Sequence, residues 1–280
     1  MGVRVGVSIG PNVPWPDLVD RVRHAVSLGI ESVWIPDHII SWTDGTQPRF
    51  DCWTVLAGLA TLVPDIRLGS LVSHTVYRNP VALARAAITV DHMSGGRLEF
   101  GIGAAGSASD HRVAGVTPWS VKERMQRFRE EIEILDRVLR GEKVSFKGEY
   151  YAAEAEFRPL TVQRPRPPFT LAALGPVALG IAAQYADRWS SWAGTMQALG
   201  AGTVLSEEEG IALTRERNDR LNQLAADHGR DPGVIIRSLL AGWPVLSPGK
   251  PWASIEAFRD YVGRYREAGT NEFVFLYPPE

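Results

Sequence analysis

The pair Asp37-His38 is the first place in this sequence where a proton could be handled near neutral pH. The adjacent carboxylate of Asp37 could orient the imidazole or hold it protonated, and Trp42 stands four residues further on. A second polar pair, Ser73-His74, follows another apolar run. Gly101-Ile102-Gly103-Ala104-Ala105-Gly106 has the form G-x-G-x-x-G. A dinucleotide fingerprint of that form opens a helix and has an acidic residue ending a strand about 20 residues later. Here a polar stretch, Ser107–Ser120, follows, and Glu123 falls on a helical pattern, so the glycines instead let a flat ligand approach the backbone. At Leu174-Gly175-Pro176 a proline sits in the first turn of a helical pattern. The free N–H groups of such a turn bind phosphate without any lysine. Trp189 and Trp192 flank Ser190-Ser191, residue types that suit a planar or apolar ligand.

Other chemistries find no support. The histidines at 24, 38, 74, 92, 111 and 228 show no H-E-x-x-H or other close ligand spacing, and the first strand ends Ser8-Ile9-Gly10 without a His-x-His pair. Cys52 is the one cysteine. The reading therefore assigns no metal and no disulfide. There is neither a G-x-S-x-G elbow nor a phosphate-binding P-loop. Lys and Arg number 30 against 32 Asp and Glu, a net charge of −2 that argues against a nucleic-acid partner. The opening MGVRVGVSIG is too short an apolar run for a signal peptide, and no run approaches the 18 apolar residues of a membrane span. The expectation is a soluble cytoplasmic protein.

Hydrophobic residues are 45% and charged residues 22% of the 280, enough to build a core without metal or disulfide. Short β-rich runs alternate with helical patterns along the chain. Strands are expected at Val3–Ile9, Ser32–Ile35, Ile66–Ser73, Arg97–Ile102, Phe169–Leu174, Arg188–Trp192, Val234–Leu240 and Glu272–Tyr277. Helices are expected over Trp15–Leu28, over Asp51–Val63 with Asp51 as cap, and from Asn79-Pro80 to Met93 before Gly95-Gly96. Lys122–Arg140 and Gly175–Ala186 follow. A further helix opens on the capping box Ser206/Glu209 and runs to about His228, and another runs from Ser254 to Ala268. A small hairpin is expected around Val144–Tyr151. Eight strands alternating with helices imply parallel pairing and favour an α/β fold of the (β/α)8 TIM-barrel class over an open sheet. No linker is visible, so residues 1–280 read as a single domain, with irregular insertions at about 104–121 and 141–168. In such a barrel the strand C-terminal ends carry the chemistry.

Taken in order, a set of motifs resembles the luciferase-like monooxygenase superfamily, and within it the oxidoreductases that use the deazaflavin coenzyme F420. The motifs are Glu31-Ser32-Val33-Trp34-Ile35-Pro36-Asp37-His38, Ile66-Arg67-Leu68-Gly69 leading to Arg78-Asn79-Pro80, Asp91-His92-Met93-Ser94-Gly95-Gly96-Arg97, Phe100-Gly101-Ile102-Gly103, Ala172-Ala173-Leu174-Gly175-Pro176 and Glu267-Ala268-Gly269-Thr270-Asn271-Glu272-Phe273. The resemblance implies that His38 is the proton donor or acceptor beside the cofactor ring, that Asp37 is its neighbour in the pocket, and that Trp42 lines the catalytic cavity. It further implies that Leu71-Val72 is joined by a non-proline cis peptide that backs the ring, and that Gly175 and Pro176 open the phosphate-binding helix. Ser73, Gly103, Ala104, Ala173 and Leu174 complete the expected cofactor contacts. Two positions depart from relatives. Gly106 stands where the sugar-phosphate dehydrogenases carry a catalytic glutamate, and Ala104 stands where the bacterial luciferases carry a phosphate-binding arginine.

The activity implied is hydride transfer between F420 and a small organic substrate. The competing readings are a reduced-FMN monooxygenase served by a separate reductase, and a non-catalytic flavin-binding barrel. Relatives of this kind pack as homodimers through the helices after the early strands.

Overall fold

The computed structural model describes residues 2–39, 49–104, 108–195, 197, 202–243 and 246–277. In chain order the elements are β1 (Arg4–Ser8), α1 (Trp15–Ser27), β2 (Ser32–Ile35), α2 (Cys52–Leu62), β3 (Arg67–Ser70), β4 (Ser73–His74), α3 (Pro80–Met93) and β5 (Leu98–Gly103). Next come α4 (Ala108–Val113), α5 (Val121–Leu139), β6 (Val144–Lys147), β7 (Ala152–Ala155), β8 (Phe169–Ala172), α6 (Pro176–Tyr185) and β9 (Arg188–Ser191). The chain closes with α7 (Glu207–Asp227), β10 (Ile236–Ala241), α8 (Ile255–Glu267) and β11 (Glu272–Leu276). Two units emerge from the contacts, Ile9–Leu171 on one hand and Met1–Ser8 with Ala172–Glu280 on the other.

Within Ile9–Leu171 the strands pair in parallel: β2 with β3 (Trp34 opposite Gly69), β3 with β5 (Leu68 opposite Leu98), and β4 with β5 (His74 opposite Gly103). The strand expected over Ile66–Ser73 is therefore two pieces. They are separated at Leu71–Val72, whose peptide is cis, as the resemblance implies. Leu71 N–H donates to the Ile35 carbonyl at 2.9 Å. The Ser70 hydroxyl donates to the Gly101 carbonyl at 2.8 Å and accepts from Gly101 N–H at 3.1 Å. Gly101 is required there, because a Cβ would lie 1.8 Å from the Ser70 carbonyl oxygen. All of β2 and β5 is buried, the pattern of strands covered on both faces.

The caps read from sequence hold. Asp51 accepts from Thr54 N–H ahead of α2, and Asn79 accepts from Val81 N–H with Pro80 at the first helical position of α3. Two expectations change here. The stretch 107–120, read as a polar loop, contains the short helix α4. The hairpin's second strand starts at Ala152 because the Glu130 carboxylate accepts the N–H groups of Glu149, Tyr150 and Tyr151, which makes those residues the turn.

In the other unit β1, β11, β10 and β9 form a parallel array in that order. Tyr261, Tyr265, Phe273, Phe275 and Leu239 fill its core. The capping box at Ser206/Glu209 and the Ser254 cap are both formed. β10 starts two residues later than expected, since Pro232–Val234 makes a 3-10 turn in which Asp231 accepts from Gly233 N–H. Trp189 is buried, 1% exposed, and its indole N–H donates to the Ala173 carbonyl at 2.7 Å. Among the described residues no helix is long and apolar enough to cross a membrane.

Candidate active site

The expected proton-handling residue sits just beyond β2, and its partner is not the one expected. His38 Nδ1 lies 2.8 Å from Asp110 Oδ2, a contact spanning 72 residues of chain. Asp110 comes from α4 and its side chain is fully buried, while the His38 side chain is 10% exposed. Burial alone would raise the Asp110 carboxyl. The hydrogen bond and charge of His38, with Tyr77 and His74 beside it, outweigh that and hold it at about 2. Asp110 is therefore an anion at every working pH, able to fix the Nδ1–H tautomer of His38.

Asp37 is engaged by a different group. It is buried and pairs with Arg78 Nη1 at 2.5 Å, and Arg78 also binds Asp51, the cap of α2. Burial raises the Asp37 carboxyl and Arg78 pulls it back. One arginine thus pins the end of β2 to the start of α2. Trp42 and Gly106 lie outside the described residues.

His74, at the end of β4, stands beside His38 with ring centroids 4.5 Å apart and edge to face. Its Nδ1 is 3.9 Å from Asp110 Oδ2 and has no hydrogen-bond partner. Burial, with His38 alongside, lowers its pKa to about 3, so the ring is neutral. Tyr77 stacks on it at 5.4 Å with the planes 1° apart. Burial and the neighbouring Asp110 carboxylate raise the phenol. A cavity of about 380 Å³ opens in front of this group, lined by Asp37, His38, Arg49, Phe50, Tyr77 and Arg78. Arg49 Nε is buried there with no hydrogen-bond partner.

The other expected contacts divide between the two units. In Ile9–Leu171, Leu71 and Val72 are half-buried around their cis bond, and Gly103 takes the Thr75 hydroxyl on its carbonyl at 3.0 Å just before Ala104. Ser73 is fully buried and its oxygen accepts the Trp53 indole N–H at 2.8 Å. In the other unit, Ala173 N–H donates to the Ser190 carbonyl, and Leu174 leads into Gly175, the N-cap of α6. No side chain caps that helix, Pro176 is its first residue, and a Cβ on Gly175 would meet nothing within 4 Å. Its first-turn amides are placed as an anion site requires.

Sequence reading missed Asp110, Tyr77 and Arg49. Arg78 stands in the Arg78-Asn79-Pro80 motif, where nothing local marks its pairing with Asp37. No local pattern marks Asp110, because the helix that carries it has six residues, too few for periodicity to show.

The family model described as luciferase-like monooxygenase matches residues 2–246. The chain belongs to that family. An F420-dependent glucose-6-phosphate dehydrogenase of Intrasporangium calvum is 31% identical over 82% of this chain and 71% of its own length. An F420-dependent hydroxymycolic acid dehydrogenase of Mycobacterium tuberculosis is 29% identical over 61% of this chain and 48% of that protein. Among solved structures, an F420-dependent secondary alcohol dehydrogenase in complex with an F420-acetone adduct superposes with a TM-score of 0.80 at 17% identity, covering 100% of this chain and 95% of that one. That likeness carries the fold, the (β/α)8 barrel class expected from the strand–helix alternation.

Proposed function

We propose that this protein is an F420-dependent oxidoreductase of the luciferase-like family, transferring a hydride between the coenzyme and a small organic substrate. The observation that carries this reading is the His38–Asp110 pair at a strand end, bordering a cavity. Named relatives of this chain use F420. The chain's residues suit such a group. Within Ile9–Leu171, the half-buried backbone at Leu71–Val72 suits a ring face. Within the other unit, taken by itself, the uncapped start of α6 at Gly175 and Pro176 suits a phosphate. When bound, the deazaflavin supplies two-electron hydride chemistry.

The remaining work falls to the protein's own side chains. Asp110 holds the Nδ1 proton of His38, so proton exchange with a substrate oxygen falls to Nε2. His38 takes that proton when an alcohol is oxidised and returns it when a carbonyl is reduced. Asp37, through Arg78, fixes the strand end from which His38 projects. The protein acts as a homodimer in this reading, and sedimentation at the mass of a single chain would contradict that part.

The test is a split between binding and turnover. His38→Ala should leave F420 affinity nearly unchanged and lower turnover by about 10²–10⁴-fold. An unchanged rate would remove His38 from the chemistry. Turnover with reduced FMN and oxygen alone would install the monooxygenase reading instead.

A further inference from the structure

The histidines that show no metal spacing along the chain converge in space. His38, His74 and Asp110, from the loop after β2, from β4 and from α4, each bring one ligand atom to within 4.8 Å of the others. We propose that this trio is a binding site for a divalent transition ion of the zinc class, and that the ion silences the enzyme by taking Nδ1 of His38, which leaves the ring proton on Nε2 and no acceptor there for a substrate proton.

Three observations support it. First, the geometry is close to that of a coordination shell. Bonds of about 2.0–2.1 Å in a tetrahedral site put neighbouring ligand atoms roughly 3.3 Å apart. The Nδ1 atoms of His38 and His74 lie 2.8 and 3.9 Å from the same Asp110 oxygen, one inside that spacing and one outside it. The widest separation has to close, which rotation of an imidazole achieves. Second, His74 Nδ1 is a buried polar atom without a hydrogen-bond partner. Such an atom is costly to leave unsatisfied, and a metal ion would satisfy it. Third, the donor set is two imidazoles and one carboxylate, which suits zinc, cobalt or nickel better than magnesium or calcium, the takers of oxygen shells. Entry is available because His38 lines the cavity.

Among the described residues, His111, Arg78 and Arg49 are charged or titratable groups that act on this cluster. Arg78 is held by Asp37 and Asp51. The Arg49 guanidinium interacts electrostatically with Asp110 and opposes an ion there. Arg49→Met should therefore tighten metal binding.

Metal binding does not depend on the proposed function, whereas the silencing does. The experiment titrates Co(II) into the full-length, cofactor-free protein and follows visible absorption. The expected result is one equivalent bound with the intense bands of a low-symmetry, four- or five-coordinate site, displaced by Zn(II). His74→Ala and Asp110→Asn should each weaken binding by more than about 100-fold, beyond the 10–100-fold cost of losing an outer-sphere partner. Circular dichroism checks that both variants fold, and His38→Gln, at a partly exposed position, provides a third ligand deletion. His24→Ala and His228→Ala, both at exposed positions, should change nothing. Binding that survives the ligand deletions, or only the weak spectrum of the hydrated ion, overturns the site. In the F420-loaded enzyme Zn(II) should stop turnover and a chelator should restore it. Tight Co(II) binding without F420 affinity would sink the functional reading and leave the metal site standing. F420 turnover untouched by saturating Zn(II) would sink the silencing alone.

Discussion

Two buried aspartates in the Ile9–Leu171 unit have opposite fates. Asp91, fully buried on α3, accepts Val162 N–H at 2.7 Å, Gln163 N–H at 3.0 Å and the Gln163 side-chain amide at 2.8 Å. Around it the motif Asp91–Arg97 continues in the same manner. His92 Nε2 meets the Leu160 carbonyl, and the Arg97 guanidinium donates to the carbonyls of Ala60, Val63 and Ile66. This motif, among the strongest marks of the resemblance, fastens the insertion at 141–168 and the α2–β3 connection. Asp110 is equally buried but holds a histidine that reaches a cavity, and beside it His74 keeps an unsatisfied nitrogen. Saturated hydrogen bonding marks scaffold, and the incomplete cluster marks the site, because a group must keep capacity in order to bind or exchange anything.

That contrast can be broken by mutation. Asp91→Ala strands two backbone N–H groups and an amide, and should cost about 3 kcal/mol or more in chemical denaturation while turnover per folded molecule stays near wild type. Asp110→Asn should do the reverse. It should lower kcat/KM by roughly 10–10²-fold and displace a limb of the pH–rate profile while the protein stays folded. If Asp110→Asn unfolds the protein and Asp91→Ala only slows it, the assignment of the two regions is reversed.

Acid titration separates them further. The His74 pKa is lowered to about 3 in the fold, below its ordinary value, so the unfolded chain binds the extra proton first. Stability should therefore fall as pH drops from about 6.5 towards 3, and His74→Phe should flatten that slope. Asp110, held at about 2, contributes stability present above the ordinary carboxyl range, lost as pH falls from about 4 through 2. Denaturation midpoints across pH test both, and a wild-type slope retained in His74→Phe would contradict the first.

The opposite slope comes from Glu131 on α5, a fully buried carboxyl raised by burial to about 8. Its folded pKa lies above the unfolded one, so the fold loses stability as pH rises from about 4.5 towards 8. Glu131→Gln should remove that decline.

The scaffold was largely legible because its signals are local. Asp51, Asn79, Ser206 with Glu209, and Ser254 all cap the helices they were read to cap, and the run of buried β residues named the strands. His38 was legible as a proton-handling type at a strand end. Its partner was not, because the nearer carboxylate, Asp37, is occupied by Arg78, and the true one arrives from 72 residues away on a helix of one and a half turns. The Leu71–Val72 break inside an apolar run was visible only through resemblance, since nothing in those two side chains announces it. Trp189 illustrates the converse: a residue type that suggested a ligand is fully buried and donates its indole N–H to the Ala173 carbonyl.

The most direct test of the central claim is an equilibrium titration of the purified protein with F420 and, separately, with FMN. The account predicts saturable F420 binding, with FMN at least about 10-fold weaker, a gap of 1.4 kcal/mol. Tight FMN binding without measurable F420 affinity would contradict it.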